Sequence, residues 1–420
     1  MKYGLIGEHL THSFSKAIHE EIGDYVYEIK EIEPQNLEEF FNKKDFCAIN
    51  VTIPYKEKVI PYLDWLDENA KSIGAVNTVV NKDGKLYGYN TDYSGMKWLI
   101  EKASICINGK KVLIIGTGGT SKTATAVVRD MGAKEIIYVS KRKVLGAYSY
   151  DEIYSNHTDI EVIINTSPVG MYPNNDDTPI ELERFMHLEG LIDVIYNPIR
   201  TNLVLKARSM GIKAEGGLYM LVSQAVFAYE HFMGTCVNKA LPNEIFKRIL
   251  CSKENIVLIG MPSSGKTTVG KLLAKKTGKE LVDTDVEIVK KTGMEIFEYF
   301  KKYGEKEFRQ VESEVVKELS KKNSLIIATG GGVILNSDNI RHLKQNGRAY
   351  FIDRSLKRLI PTSDRPLSSN IKDLEKRYEE RYPIYTSACD VRVDGNYDAN
   401  EVAEKIYGEW KDENIGAKRT

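Results

Sequence analysis

Short apolar runs separated by polar, glycine-rich turns recur along the chain. Lys2–Ile6, Phe46–Ile53, Lys111–Ile115, Ile136–Val139, Val162–Asn165 and Leu191–Val194 have the length and composition of buried strands. Stretches around Leu37–Phe41, Gly95–Lys102 and Ser121–Met131 carry a helical period between them, and Gly95–Lys102 is placed to lead from one sheet to the next. Repeated β-α alternation predicts parallel sheets with helices on both faces. The pattern lapses over residues 235–254, which include Pro242 and have mixed polarity, and restarts at Asn255. A domain boundary is expected in that stretch.

Two of the apolar runs end in glycine-rich loops of different chemistry. Ile256-Val257-Leu258-Ile259 leads into Gly260-Met261-Pro262-Ser263-Ser264-Gly265-Lys266-Thr267-Thr268. This is the G-x-x-x-x-G-K-[ST] string, whose backbone amides wrap phosphate at a helix N-terminus. In that reading Lys266 neutralises β/γ oxygens and Thr267 offers a hydroxyl to Mg²⁺, so a nucleoside triphosphate is expected. Val112-Leu113-Ile114-Ile115 leads into Gly116-Thr117-Gly118-Gly119, where Ser121 stands at the third glycine position of a dinucleotide fingerprint. The next strand ends in Ser140-Lys141-Arg142-Lys143. An NAD site usually places a carboxylate there; a cationic end suits a 2′-phosphate, so NADP(H) is expected.

Bulk composition narrows the partners. The 420 residues are 42% hydrophobic, carry a formal net charge of +0, and allow two or three cores. Charge balance gives no reason to expect nucleic acid or an anionic membrane as partner. Five scattered cysteines without a C-x-x-C pair fit reduced thiols of a cytoplasmic protein. The first residues contain no signal-peptide apolar region, and no run reaches membrane-spanning length. His12 and His19 have no suitably spaced second ligand and read as structural.

The acceptor side of the second loop is carried by an ordered set. Asp283 and Asp285 close a strand-like run; alone, such a pair is a solvated strand end. Gly304-Glu305, Phe308-Arg309, Glu312, Thr329-Gly330-Gly331-Gly332, Asp364-Arg365-Pro366-Leu367 and Arg381-Tyr382-Pro383-Ile384-Tyr385 follow in order. Over residues 255–395 this set closely resembles shikimate kinase. The resemblance implies that Asp285 accepts hydrogen bonds from ring hydroxyls and orients or deprotonates the attacking one. Arg309 and Arg381 would clamp the substrate carboxylate, a task suited to planar guanidinium groups. Gly331 would admit the ring close to the backbone, and Asp283 would reach Mg²⁺ through water. Arg365, in a lid that is short for the family, would stabilise the transferring phosphoryl group.

A second ordered set surrounds the first loop. It comprises His12-Ser13-Phe14-Ser15, Asn50-Val51-Thr52-Ile53-Pro54-Tyr55-Lys56, Gly74-Ala75-Val76-Asn77-Thr78 and Asn90-Thr91-Asp92. Asn165-Thr166-Ser167-Pro168-Val169-Gly170-Met171, Asp193 to Pro198, and Met220-Leu221 with Gln224 come downstream. Across residues 1 to about 235 this resembles shikimate dehydrogenase, with Lys16 and Ser140-Lys141-Arg142 as departures. By that resemblance Lys56 serves ketone reduction as proton donor and positive group, and Asp92 holds it in place. Ser13, Ser15, Thr52 and Tyr196 would meet the substrate carboxylate, and Asn77 and Gln224 the ring hydroxyls.

Together the resemblances imply an α/β chain of several domains. A substrate-binding domain spans 1–92 and is completed by about 215–235. A Rossmann NADP-binding domain spans 93–214, a linker 235–254, and a P-loop, NMP-kinase-like domain with a parallel sheet 255–415. The expected small-molecule substrates are consecutive: 3-dehydroshikimate is reduced to shikimate, which is then phosphorylated to shikimate 3-phosphate. Competing readings are an NAD-linked quinate/shikimate dehydrogenase, another small-metabolite kinase, or a non-catalytic ligand sensor built from these modules. Lys141-Arg142 argues against the first, Asp285 with Arg309 and Arg381 against the second, and the joint presence of Lys56, Asp92, Lys266 and Asp285 against the third.

Overall fold

A computed structural model describes residues 1–10, 14–359 and 371–411. Contacts divide the chain into two units, Met1–Phe246 and Lys247–Thr420. The division falls inside a helix, Leu241–Lys253, which occupies most of the stretch that breaks the apolar pattern.

The first unit holds two sheets. One is built from β1 (Tyr3–Gly7), β2 (Tyr27–Glu31), β3 (Ala48–Val51), β4 (Trp65–Leu66), β5 (Thr78–Lys82) and β6 (Lys85–Tyr89), in the order β2-β1-β3-β5-β6-β4. β1 lies parallel to β2 and β3, as β-α alternation requires, whereas β3–β5 and β5–β6 are antiparallel. The β5–β6 hairpin is an element the apolar pattern does not announce. It turns on Asp83 and Gly84, at φ 54° and 80°, the doubly left-handed geometry that matches strand twist across a two-residue loop.

The second sheet is all parallel: β7 (Lys111–Ile115), β8 (Glu135–Val139), β9 (Val162–Asn165), β10 (Gly190–Asp193) and β11 (Lys213–Glu215), ordered β11-β10-β9-β7-β8. Strand order reverses beside β7, so the loops after β7 and β9 flank a crevice of the kind that takes dinucleotides. The chain then returns to the first sheet: the helix Leu218–Met233 packs on the helix Ser15–Ile22, on β3 and on β5.

The second unit has one parallel sheet: β12 (Asn255–Ile259), β13 (Glu280–Asp283), β14 (Leu325–Ala328), β15 (Gly347–Asp353) and β16 (Val391–Asp394), ordered β13-β14-β12-β15-β16. All of β12 is buried because both faces are covered. Val257 and Ile259 enter one core with Phe308, Ile327 and Phe351. Ile256 and Leu258 enter the other with Leu273, Tyr350 and Ile406. This two-sided burial explains why the strand reads as a continuous apolar run. No helix among the described residues is long and apolar enough to cross a membrane.

Candidate active sites

In the first unit, a cavity of about 400 Å³ opens where the two sheets meet. Ser15, Thr52, Lys56, Asn77, Asp92, Tyr196 and Gln224 all line it. Ser13 lies outside the described residues. Lys56 follows the end of β3, and its carbonyl accepts from Val76 N at 2.8 Å, which anchors the segment. Its Nζ donates to Asp92 Oδ2 at 2.5 Å.

Asp92 is placed by a helix longer than the one read from periodicity. The helix runs Thr91–Lys102 and is capped by Asn90, whose Oδ1 accepts from Tyr93 N at 3.2 Å. Asn90 Nδ2 donates to the Ala75 carbonyl at 2.9 Å. Asp92 therefore stands in a first helical turn, where the helix dipole favours a carboxylate. A methyl group on Gly95 would lie 2.8 Å from the Met220 carbonyl oxygen. Only glycine permits this close crossing of the two helices, and the crossing brings Asp92 and Gln224 to the same cavity.

Asn77 is held by its neighbours before any ligand arrives. Its Oδ1 accepts from Thr91 N at 2.8 Å and Thr78 Oγ1 at 3.1 Å, and its Nδ2 donates to Thr91 Oγ1 at 3.1 Å. Beneath it, Asn50 Nδ2 donates to the Asn77 carbonyl at 3.2 Å and to Thr78 Oγ1 at 3.1 Å, while Asn50 Oδ1 accepts from the Tyr27 hydroxyl at 2.8 Å. Asn50 and Thr91 are residues to which sequence reasoning assigned no role. They lie 27 and 14 residues from their partners, so no local spacing marks them. Tyr196 packs against Phe14, and burial raises its phenol pKa, so it is a neutral hydroxyl at physiological pH.

The dinucleotide loop borders the same cavity through Thr120, in the first turn of the helix Gly119–Asp130. Gly116, at φ 99°, turns the chain off β7 beside Thr166, and Gly118 is the N-cap of that helix. At the tip of β8, Ser140 Oγ accepts from Arg142 N at 3.2 Å. Lys141 and Arg142 are exposed and make no ion pair among the described residues.

In the second unit, Gly260 to Gly265 form the loop and Lys266 opens the helix Lys266–Thr277. Ser263 and Gly265 adopt φ 63° and 93°. Lys266 Nζ donates to the Gly260 and Met261 carbonyls at 2.9 and 2.8 Å. Thr267 Oγ1 donates to Asp283 Oδ2 at 2.7 Å. A hydroxyl and a carboxylate this close are the donor set of a Mg²⁺ that keeps water and takes phosphate oxygens, so these residues fit that ion.

β13 ends at Asp283, and Asp285 is not on the strand tip that the sequence pattern suggests. It lies in the first turn of the helix Thr284–Thr292, because Asp283 Oδ1 accepts from Asp285 N at 3.0 Å and caps the helix. The Gly330–Gly332 loop then packs against Asp285 and Arg309. A methyl group on Gly330 would lie 2.7 Å from Asp285 Oδ1, and one on Gly332 would overlap Arg309 Nη1 at 2.1 Å. Arg309 Nη1 donates to the buried Glu312 Oε2 at 2.8 Å, while its Nε, also buried, has no partner. Arg381 Nη1 donates to the Gly331 carbonyl at 2.9 Å. Burial raises the Glu312 pKa, and the Arg309 charge opposes that shift.

Two residues that sequence reasoning left without a role complete this site. Glu312 holds Arg309. The Tyr385 hydroxyl, fully buried, lies 2.9 Å from the Gly260 carbonyl and 2.6 Å from that of Gly331, between the Gly260–Gly265 and Gly330–Gly332 loops. Arg365 lies outside the described residues.

Residues 5–79 match the shikimate dehydrogenase substrate binding domain, and residues 262–411 match shikimate kinase. The Clostridium perfringens protein named shikimate dehydrogenase (NADP(+)) is 37% identical in an alignment 267 positions long that covers 59% of this chain and 98% of the relative. The chain belongs to the shikimate dehydrogenase family. The C-terminal unit of this chain carries a shikimate kinase domain, so one chain joins two enzymes of the shikimate pathway. Shikimate dehydrogenase 1 from Peptoclostridium difficile is similar in structure, with 35% identity, a TM-score of 0.54, and coverage of 59% of this chain and 98% of that one. So is a chorismate mutase/shikimate 5-dehydrogenase fusion protein from Clostridium acetobutylicum, at 34% identity, TM-score 0.56, and coverage of 59% and 96%. Fusion to another enzyme thus also occurs in a relative.

Proposed function

We propose that the N-terminal unit reduces 3-dehydroshikimate to shikimate with NADPH and that the C-terminal unit phosphorylates shikimate with ATP and Mg²⁺. One observation carries the first half of this reading: Lys56, Asp92 and Thr120 of the dinucleotide-loop helix line a single cavity. Substrate groups and cofactor loop therefore face the same space.

NADPH supplies the hydride when bound. The chain supplies the proton and the orientation. The Lys56 ammonium faces the carbonyl oxygen, steadies negative charge as it develops there and delivers a proton to it. Asp92 keeps Lys56 pointed by its hydrogen bond. Ser15, Thr52 and Tyr196, with Ser13, present neutral hydroxyls suited to a carboxylate. Asn77 and Gln224 present amide groups suited to ring hydroxyls. Lys141 and Arg142, without a carboxylate partner among the described residues, suit the cofactor 2′-phosphate.

In the kinase unit Asp285 accepts the hydrogen bond of the attacking hydroxyl and so directs it. Arg309 and Arg381 hold the substrate carboxylate, and the unpartnered Arg309 Nε supports that role. Lys266 turns from the loop carbonyls to the nucleotide phosphates, where it offsets charge on the transferring group. Thr267 and Asp283 would hold Mg²⁺, and Arg365 is proposed to act on the same phosphoryl group.

The test follows NADPH absorbance and ADP formation in parallel, starting from 3-dehydroshikimate with each cofactor omitted in turn. NADPH loss without ATP, with ADP formed only once shikimate is made or added, is the expected result. NADPH loss with no ADP even on added shikimate would remove the kinase assignment. Silence of folded protein in both channels would favour a ligand sensor.

A further inference from the structure

β15 ends at Asp353, and Asp353 and the residue after it are charged groups with opposite fates. Asp353 is paired: its Oδ2 accepts from Arg392 Nη2 at 2.5 Å and Nε at 2.7 Å, and from the Tyr382 hydroxyl at 3.2 Å. Arg354, the next residue, is half-buried. Its Nε is shut off from solvent without a hydrogen-bond partner. Its guanidinium makes no ion pair or ring contact among the described residues.

The place where this guanidinium stops is specific. A Cβ built on Gly265 would lie 3.7 Å from Arg354 Nη1. Gly265 is the N-cap of the helix Lys266–Thr277, and no side chain caps that end. Three sources of positive potential therefore converge: the helix N-terminus, the Lys266 ammonium and the Arg354 guanidinium. The nearby carboxylates are already engaged, Asp283 with Thr267 and Asp353 with Arg392. A half-buried cation with an orphaned N–H is unfavourable unless an anion completes it.

We infer that Arg354 is a phosphate-contacting residue of the nucleotide site, a second cation beside Lys266 that the G-x-x-x-x-G-K-T string does not contain. The inference rests on reading residues 260–268 as a nucleoside triphosphate site and adds to it the residue that meets the polyphosphate over Gly265. Phosphate is favoured over the base by the unpaired edge of the guanidinium. Its N–H groups need acceptors, which phosphate oxygens offer and a stacked ring does not.

The experiment uses the full chain with Mg²⁺ and saturating NADP⁺, which occupies the dehydrogenase cofactor site. MgADP and Mg-tripolyphosphate are titrated into wild type, Arg354→Ala and Arg354→Lys. Kinase rates are measured separately without NADP⁺. Arg354→Ala should weaken both ligands by a similar factor, roughly 10- to 100-fold. It should leave the shikimate KM unchanged and not lower the ligand-free melting temperature, since it removes an unsatisfied buried group. Arg354→Lys should recover part of the affinity.

Unchanged affinities in Arg354→Ala overturn the inference. So does weakening of MgADP alone, which would mark a base contact, or failure of wild type to bind tripolyphosphate while binding MgADP. A lower ligand-free melting temperature with parallel loss of shikimate and nucleotide affinity would mark a merely structural residue. Failure of wild type to bind MgADP at all would instead remove the nucleotide reading, a result distinct from each of these.

Discussion

Lys56 Nζ and Asp92 Oδ2 are joined by a hydrogen bond of 2.5 Å across 36 residues of sequence. The ion pair is half-buried on the wall of the cavity, with Asp92 fixed by a capped helix and Lys56 by the segment after β3. Lys56→Ala should lower dehydrogenase kcat about 10²- to 10⁴-fold, the usual worth of a positioned proton donor. Asp92→Asn should cost less, because the lysine remains. Phosphorylation of added shikimate should be unchanged in both, and equal loss of the two activities would show unfolding instead.

Lys141 and Arg142 stand exposed at the tip of β8 and form no ion pair among the described residues. Replacing both with alanine should raise the KM for NADPH roughly 10- to 100-fold, the worth of one or two charge-assisted hydrogen bonds. The KM for NADH should hardly move. Comparing the two cofactors side by side separates loss of 2′-phosphate recognition from damage to the whole dinucleotide site.

Gly332 faces the Arg309 guanidinium so closely that a methyl group would overlap it. Gly332→Ala should push Arg309 from its bond with Glu312 and raise the kinase KM for shikimate at least about tenfold, the loss of one charge-assisted hydrogen bond. The KM for ATP should change little. A matched rise in both would place Arg309 outside the acceptor clamp.

His19 is fully buried, stacked on Tyr27 at 3.9 Å between ring centroids. Burial lowers its pKa to about 3, against an ordinary 6.5. Above pH 6.5 the imidazole is neutral in both folded and unfolded chains, and its contribution to stability is fully present. Between about 6.5 and 3 only the unfolded chain takes up the proton, so stability falls on acidification by up to about 1.4 kcal/mol per pH unit. His19→Phe should flatten this part of the acid profile, at a cost of about 1 kcal/mol at neutral pH for the lost Tyr25 hydroxyl partner. Amide hydrogen exchange in β2, compared between variant and wild type from pH 7 to 5, reads the difference.

Most strands were legible because strands covered on both faces show as apolar runs. β12 is one such run, and β7 and β9 are nearly so. The β5–β6 hairpin was not, since β6 alternates buried and partly exposed residues too briefly to stand out. Its Asp83-Gly84 turn was the available signal. The helix Thr91–Lys102 was read four residues short, because Asn90 is a cap whose function depends on accepting from Tyr93 N rather than on an apolar period. Asp285 was misplaced for the same kind of reason: Asp283 turns strand into helix through one side-chain hydrogen bond.

By itself the sequence determined the local chemistry of each loop. A glycine turn followed by Lys266 and Thr267, and a strand end bearing Lys141 and Arg142, dictate local backbone freedom and charge wherever the rest of the chain lies. Tertiary structure decided which distant groups meet. Tyr385 reaches Gly260 across 125 residues, Gln224 reaches Thr91 across 133, and Arg354 comes to rest over Gly265. None of these separations repeats a helical or strand period. Such contacts arise from the order of strands in a sheet and the close crossing of helices, and those are properties of packing rather than of neighbouring residues.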